Sequence, residues 1–101
     1  MLMRPRYAWL WDVELDAAAF DAVLSGLGSV SLKERQWAVI RLIEYAPWSD
    51  IRRLLPRDFF LEQWPVVAPR VRSRTRREGM AFLYDWYRQQ AHVHATVSPA
   101  Y

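Results

Sequence analysis

Arg70, Arg72, Arg74, Arg76 and Arg77 place five guanidinium groups in eight residues, and no acid follows them before Glu78. A guanidinium offers a fork of donors that matches the paired oxygens of phosphate or carboxylate. A row of them therefore suits a nucleic acid or an acidic protein surface. Their alternation predicts an extended segment leading into a final helix, whose first backbone amides add to the positive field. The competing reading is a solvated loop with some arginines paired to Asp58, Glu62 or Asp85. Arg52 and Arg53 form a second basic pair. They lie where Trp37–Ala46, Pro47-Trp48-Ser49 and Asp50–Leu55 have the lengths of a helix-turn-helix. The usual turn glycine is missing there. The second helix would also open on bulky Trp48 and on Asp50, which phosphate repels. A structural helix corner fits that stretch better.

Other reactive side chains are sparse. His92 and His94 have ligand spacing, but the chain has 2 histidines in all, and a metal site needs three or four ligands. The same shortage leaves the serines and threonines without an imidazole partner for nucleophilic catalysis. Asp12, Glu14 and Asp16 could gather around a cation, although solvating the chain start and capping a helix accounts for them equally. With 0 cysteines and 3 glycines, thiolate metal sites, disulfides and glycine-rich phosphate loops are excluded. The expectation is a non-enzymatic protein with no cofactor, no metal and no catalytic residue.

Tryptophan supplies a different signal, with 6 in 101 residues. Trp37, Trp64 and Trp86 fall in predicted helices and are expected to fill the core. Trp9, Trp11 and Trp48 fall in irregular segments, where an amphipathic ring suits an interface. They suggest an apolar contact surface for another protein or for a second copy of this chain.

The elements that must hold these residues are helical. Hydrophobic residues make up 52% and charged residues 25%, a globular composition at the size of one domain. Residues 1–50 carry five basic and seven acidic side chains, and residues 51–101 carry nine and four, giving −2 and +5 and the net +3. The apolar run Tyr7–Trp11 is too short for an export signal or a membrane span, so no membrane contact and a cytoplasmic location are expected.

Residues 1–15 read as an extended aromatic arm, with Tyr7, Trp9 and Trp11 alternating onto one side. Asp16 is placed to cap a helix with Phe20, Val23, Leu24 and Leu27 inward, ended by Gly26 and Gly28. Ser31 and Glu34 make a capping box for a helix running to about Ala46. Trp37, Val39, Ile40, Leu42 and Ile43 should point inward there, leaving Arg35, Arg41 and Glu44 in solvent. Ser49 is expected to cap a short helix to Leu55, and another should span about Arg57–Trp64. Pro65 and Pro69 should kink or turn the chain. Thr75 and Glu78 read as a second capping box, opening a helix to about Gln90 with Met80, Leu83, Tyr84 and Tyr87 inward. Residues 91–101 should fray. The expected fold is all-α: a single domain forming a compact orthogonal bundle of five or six short helices, with the core over 16–90.

Three stretches carry a family resemblance: Leu10-Trp11-Asp12-Val13; Arg41-Leu42-Ile43-Glu44-Tyr45 with Trp48–Leu55; and Arg70-Val71-Arg72-Ser73 leading to Phe82-Leu83-Tyr84. Over about residues 8–88 the chain resembles a family of small bacterial proteins often encoded beside nucleotidyltransferase-like toxins of the abortive-infection type. It departs from the family pattern at Ala46-Pro47, where a glycine-containing turn is usual, and at Gly26–Val30, which reads as an extra loop. The resemblance implies an antitoxin-like or accessory partner of such a toxin and transfers no catalytic residue. Arg70–Arg77 and the exposed tryptophans would then be the contacts. The alternative is a small nucleic-acid-binding module that uses the same arginines on phosphates, with autoregulatory binding to its own operon's DNA as one form of it.

Overall fold

A computed structural model of the chain describes the backbone of residues 5–97 and the side chains of residues 5–90. Among these residues all regular structure is helical, as five α-helices and two short 3-10 turns, with no strand. The chain groups into two compact units, residues 1–56 and 57–101.

In the first unit a 3-10 turn at Ala8–Leu10 precedes α1 (Ala17–Ser25), α2 (Leu32–Tyr45) and α3 (Trp48–Leu54). Asp16 caps α1 by accepting from the Ala19 amide at 2.8 Å. Gly26 ends it at φ 72, a left-handed conformation that costs glycine no Cβ clash. The Ser31–Glu34 capping box forms as expected, with both bonds made. Phe20, Leu24, Val39, Leu42 and Ile43 are buried, and α1 packs on α2.

Several expectations for this unit fail for one reason: which side chains reach a partner depends on packing that periodicity does not encode. The arm is not a strand. Its 3-10 turn buries Trp9 and Leu10 and leaves Trp11 exposed, so Tyr7, Trp9 and Trp11 do not share a side. Leu27 is exposed, and Trp37 lies partly open at the edge of the α1–α2 contact. Arg35 and Arg41, expected in solvent, are structural. The Arg35 Nε donates to the Leu24 carbonyl at 2.8 Å, satisfying the last turn of α1. Ser49 lies inside α3 instead of capping it. The helix starts on extended Pro47, whose carbonyl accepts from the Asp50 and Ile51 amides.

The second unit comprises α4 (Arg57–Val67), a 3-10 turn at Ala68–Arg70 and α5 (Arg74–Val97). Proline at 65 does not end α4. Phe60, Trp64 and Val67, at i, i+4 and i+7, are all buried. Keeping those side chains packed is worth about 1.5–3 kcal/mol each, enough to offset the roughly 3 kcal/mol cost of proline inside a helix. Val71 follows the turn in an extended conformation and is buried. The cap of α5 is Ser73, not Thr75: its hydroxyl accepts from the Arg76 amide at 3.3 Å and its carbonyl from the Arg77 amide at 2.9 Å. Glu78 instead pairs with Arg74 one turn earlier, at 3.0 Å.

α4 packs on α5 through a cluster of rings. The Phe60 centroid lies 5.4 Å from Trp64, 6.0 Å from Tyr84 and 6.4 Å from Tyr87. Met80 is buried, whereas Trp86, expected in the core, is exposed. The backbone stays helical to Val97, past the expected end at Gln90 and through part of the segment expected to fray. The side chains of His92 and His94, and residues 98–101 of the expected tail, lie outside the described residues. No helix among the described residues is long and apolar enough to cross a membrane.

Candidate interaction surfaces

Of the three tryptophans expected at an interface, the structure divides Trp9 from the other two. Trp9 is buried: its Nε1 donates to Asp50 at 3.0 Å, and its ring stacks on Tyr7 at 4.8 Å and meets Phe20 edge-on at 5.0 Å. A side chain held this way supports the core and offers no contact area. Trp11 and Trp48 are 73% and 49% exposed, and Tyr45, at the end of α2, is 43% exposed. Arg41 lies against two of these rings. Its guanidinium lies 4.1 Å from the Tyr45 centroid and 6.0 Å from that of Trp11. It also donates to the Trp9 carbonyl and forms an ion pair with Asp12. Asp12 and Asp16 therefore have structural tasks, as ion-pair partner and helix cap. No group of three metal-ligating side chains occurs among the described residues.

Arg52 and Arg53 are both exposed on α3. Arg53 is held by Asp50 at 3.1 Å and lies 5.9 Å from the Tyr7 ring. Asp50 thus joins Trp9 and Arg53, and α3 is fastened to the turn before α1.

Tyr7 closes the other side of that junction by donating its hydroxyl to Asp21 at 2.8 Å. Burial raises the phenol above its ordinary value of 10.0, the Asp21 bond raises it further, and Arg53 opposes both. The folded chain therefore keeps this proton at pH values where the unfolded chain releases it. The resulting stabilisation is complete below about pH 10 and is lost as pH rises through the folded value. Tyr7→Phe should cost about 1 kcal/mol at neutral pH. The gap between variant and parent should narrow above pH 10, as read from urea midpoints of both proteins at pH 8 and pH 11. A gap that widens with pH would contradict this account.

The arginine strip divides as well. Arg70, Arg72 and Arg74 are exposed, with buried Val71 between the first two. Arg76 and Arg77 have entered α5 and are half-buried. Arg77 Nη1 donates to the Val71 carbonyl at 2.8 Å, holding the extended segment to the helix start. The extended segment expected across these arginines is confined to residues 71–73, and three of the five arginines, Arg70, Arg72 and Arg74, are exposed.

Two exposed side chains on α5 were not singled out from the sequence as surface groups. Phe82 is 74% and Trp86 47% exposed, and at i and i+4 they are neighbours on one face. Both lie out of phase with Met80, Leu83, Tyr84 and Tyr87. A large ring outside the apolar stripe of its own helix is the sequence signal that could have identified them. The tilted ring of Tyr87, 5.6 Å from Trp86, supports this pair from the packed side. Comparison of the chain with known protein families, curated proteins and solved structures finds no match.

Proposed function

We propose that this chain is a non-enzymatic binding protein, the antitoxin-like or accessory partner of a nucleotidyltransferase-type toxin. The observation that carries the reading is the uncovered aromatic surface of the first unit, where Trp11, Tyr45 and Trp48 remain open. Exposed tryptophan is enriched among the residues that dominate binding energy at protein interfaces. The identity of the toxin rests on the family resemblance. If a nucleotidyltransferase-type toxin is encoded beside the chain, as the resemblance implies, coexpression should relieve its toxicity and yield a copurifying complex. Trp11→Ala with Trp48→Ala should weaken the complex tenfold or more while leaving the helical signal unchanged. Failure to neutralise or copurify with that neighbour would overturn the reading, and an unaffected double variant would move the contact elsewhere.

A second reading concerns the other unit and has its own support. Arg70, Arg72 and Arg74 stand exposed, and Arg74 is paired with Glu78. Such a row suits phosphates, so this unit serves as a nucleic-acid-binding module.

A further inference from the structure

We propose that the unit formed by residues 57–101 binds single-stranded nucleic acid, with phosphates on Arg70, Arg72 and Arg74 and bases stacked on Phe82 and Trp86. The proposal rests on the nucleic-acid reading and specifies which form of nucleic acid is bound. The chain leaves its 3-10 turn at Val71 in an extended conformation. Only residues 71–73 separate the 3-10 turn that ends at Arg70 from the helix that begins at Arg74, so three exposed guanidinium groups fall within five residues at the start of α5. Arg74 begins α5 and, with its 83% exposed side chain, belongs to the solvent half of that helix. Phe82 follows on that half about 12 Å further along the axis, and Trp86 about 6 Å beyond it. The unit thus offers a basic end and an aromatic end along one helix.

The rings discriminate between nucleic-acid forms. A duplex keeps its bases stacked internally and presents phosphates, leaving Phe82 and Trp86 without a counterpart. A single strand offers the π-face of every base, and a basic track beside exposed aromatics is how proteins hold such strands. Carboxylates refine the polarity. Glu78 and Asp85 are exposed on the same half of α5 as the rings, and Glu78 is paired to Arg74. They repel phosphates from the aromatic end and leave it to the bases. The same carboxylates oppose insertion of this face into an anionic lipid surface. Rings flanked by acids also suit bases better than the apolar interior of a bilayer.

The test is fluorescence anisotropy of the full chain with a labelled oligothymidylate of about twelve nucleotides and with a duplex of equal length, at about 50 mM salt. The single strand should bind more tightly than the duplex. Three phosphate contacts at about 0.7 each predict a slope near −2 for log affinity against log salt. Phe82→Ala with Trp86→Ala should lower single-strand affinity about tenfold or more without changing the helical circular dichroism, because both side chains are exposed. Arg72→Ala with Arg74→Ala should weaken binding and flatten the slope by about 1.4. Equal duplex binding that the ring variant leaves unchanged would overturn the single-strand assignment while the nucleic-acid reading stands. Absence of binding to both oligonucleotides would overturn the two together. Retention on phosphatidylserine vesicles without oligonucleotide binding would reassign the face to lipid and overturn both as well.

Discussion

Replacing Phe60 with alanine lowers the unfolding free energy by about 3–5 kcal/mol, the usual range for removing a fully buried phenyl ring. Phe60 has no exposed surface, and its ring contacts those of Trp64, Tyr84 and Tyr87. Truncation removes the apolar transfer energy and the three edge or tilted ring contacts. It also leaves a cavity where α4 meets α5, and the neighbouring rings are too rigid to close it. Phe60→Leu keeps most of the volume and should cost about 1–1.5 kcal/mol. Urea unfolding of both variants checks the ranking. A loss below about 1 kcal/mol for the alanine variant would mean that the α4–α5 contact is not organised around this ring.

Replacing Arg41 with alanine should cost about 2–4 kcal/mol. The Arg41 side chain is only 10% exposed. Its Nε and Nη2 donate to the Trp9 carbonyl at 3.3 and 3.0 Å, and its Nη1 donates to Asp12 at 3.3 Å. The cost comes mainly from what remains after the guanidinium is removed. The carbonyl of buried Trp9 loses its donor, and Tyr45 and Trp11 lose the planar group between them. Asp12 is 39% exposed, so water screens much of the ion pair and its share is the smaller one. Arg41→Lys separates these contributions. An ammonium restores charge toward Asp12 but cannot stack on Tyr45 while bonding the carbonyl through a planar fork. It should therefore recover less than half of the loss. Full recovery by lysine would show that charge alone holds the 3-10 turn against α2. The alanine variant should also alter the setting of Trp11, linking this structural residue to the proposed interaction surface.

These two positions differ in how visible they are from the sequence. Phe60 is legible because burial of a helix face follows helical period, and Trp64 stands at i+4 within the expected helix. Arg41 is not legible, since nothing local announces that a charged residue on α2 will reach the carbonyl of a residue 32 positions earlier. The same distinction explains the tryptophans. Trp64 lies in phase with its helix and is buried, whereas Trp86 and Phe82 lie out of phase and are exposed. Trp9 and Trp11 share a short segment without a stable period, and only the 3-10 turn decides which of them turns inward.

By itself, the sequence determined the helical class, the caps at Asp16, Ser31 and Gly26, and the concentration of arginine before the last helix. Each is governed by neighbours within about four residues, through capping bonds, backbone φ and apolar spacing. The tertiary structure decided that Pro65 stays within α4, where buried rings on either side offset its lost hydrogen bond. It decided that Arg35, Arg41 and Arg77 serve backbone carbonyls while Arg70, Arg72 and Arg74 face solvent. It also decided which aromatics remain uncovered. These outcomes depend on buried carbonyls and ring faces brought near by packing, and a polar or aromatic side chain turns inward only where such a partner is waiting.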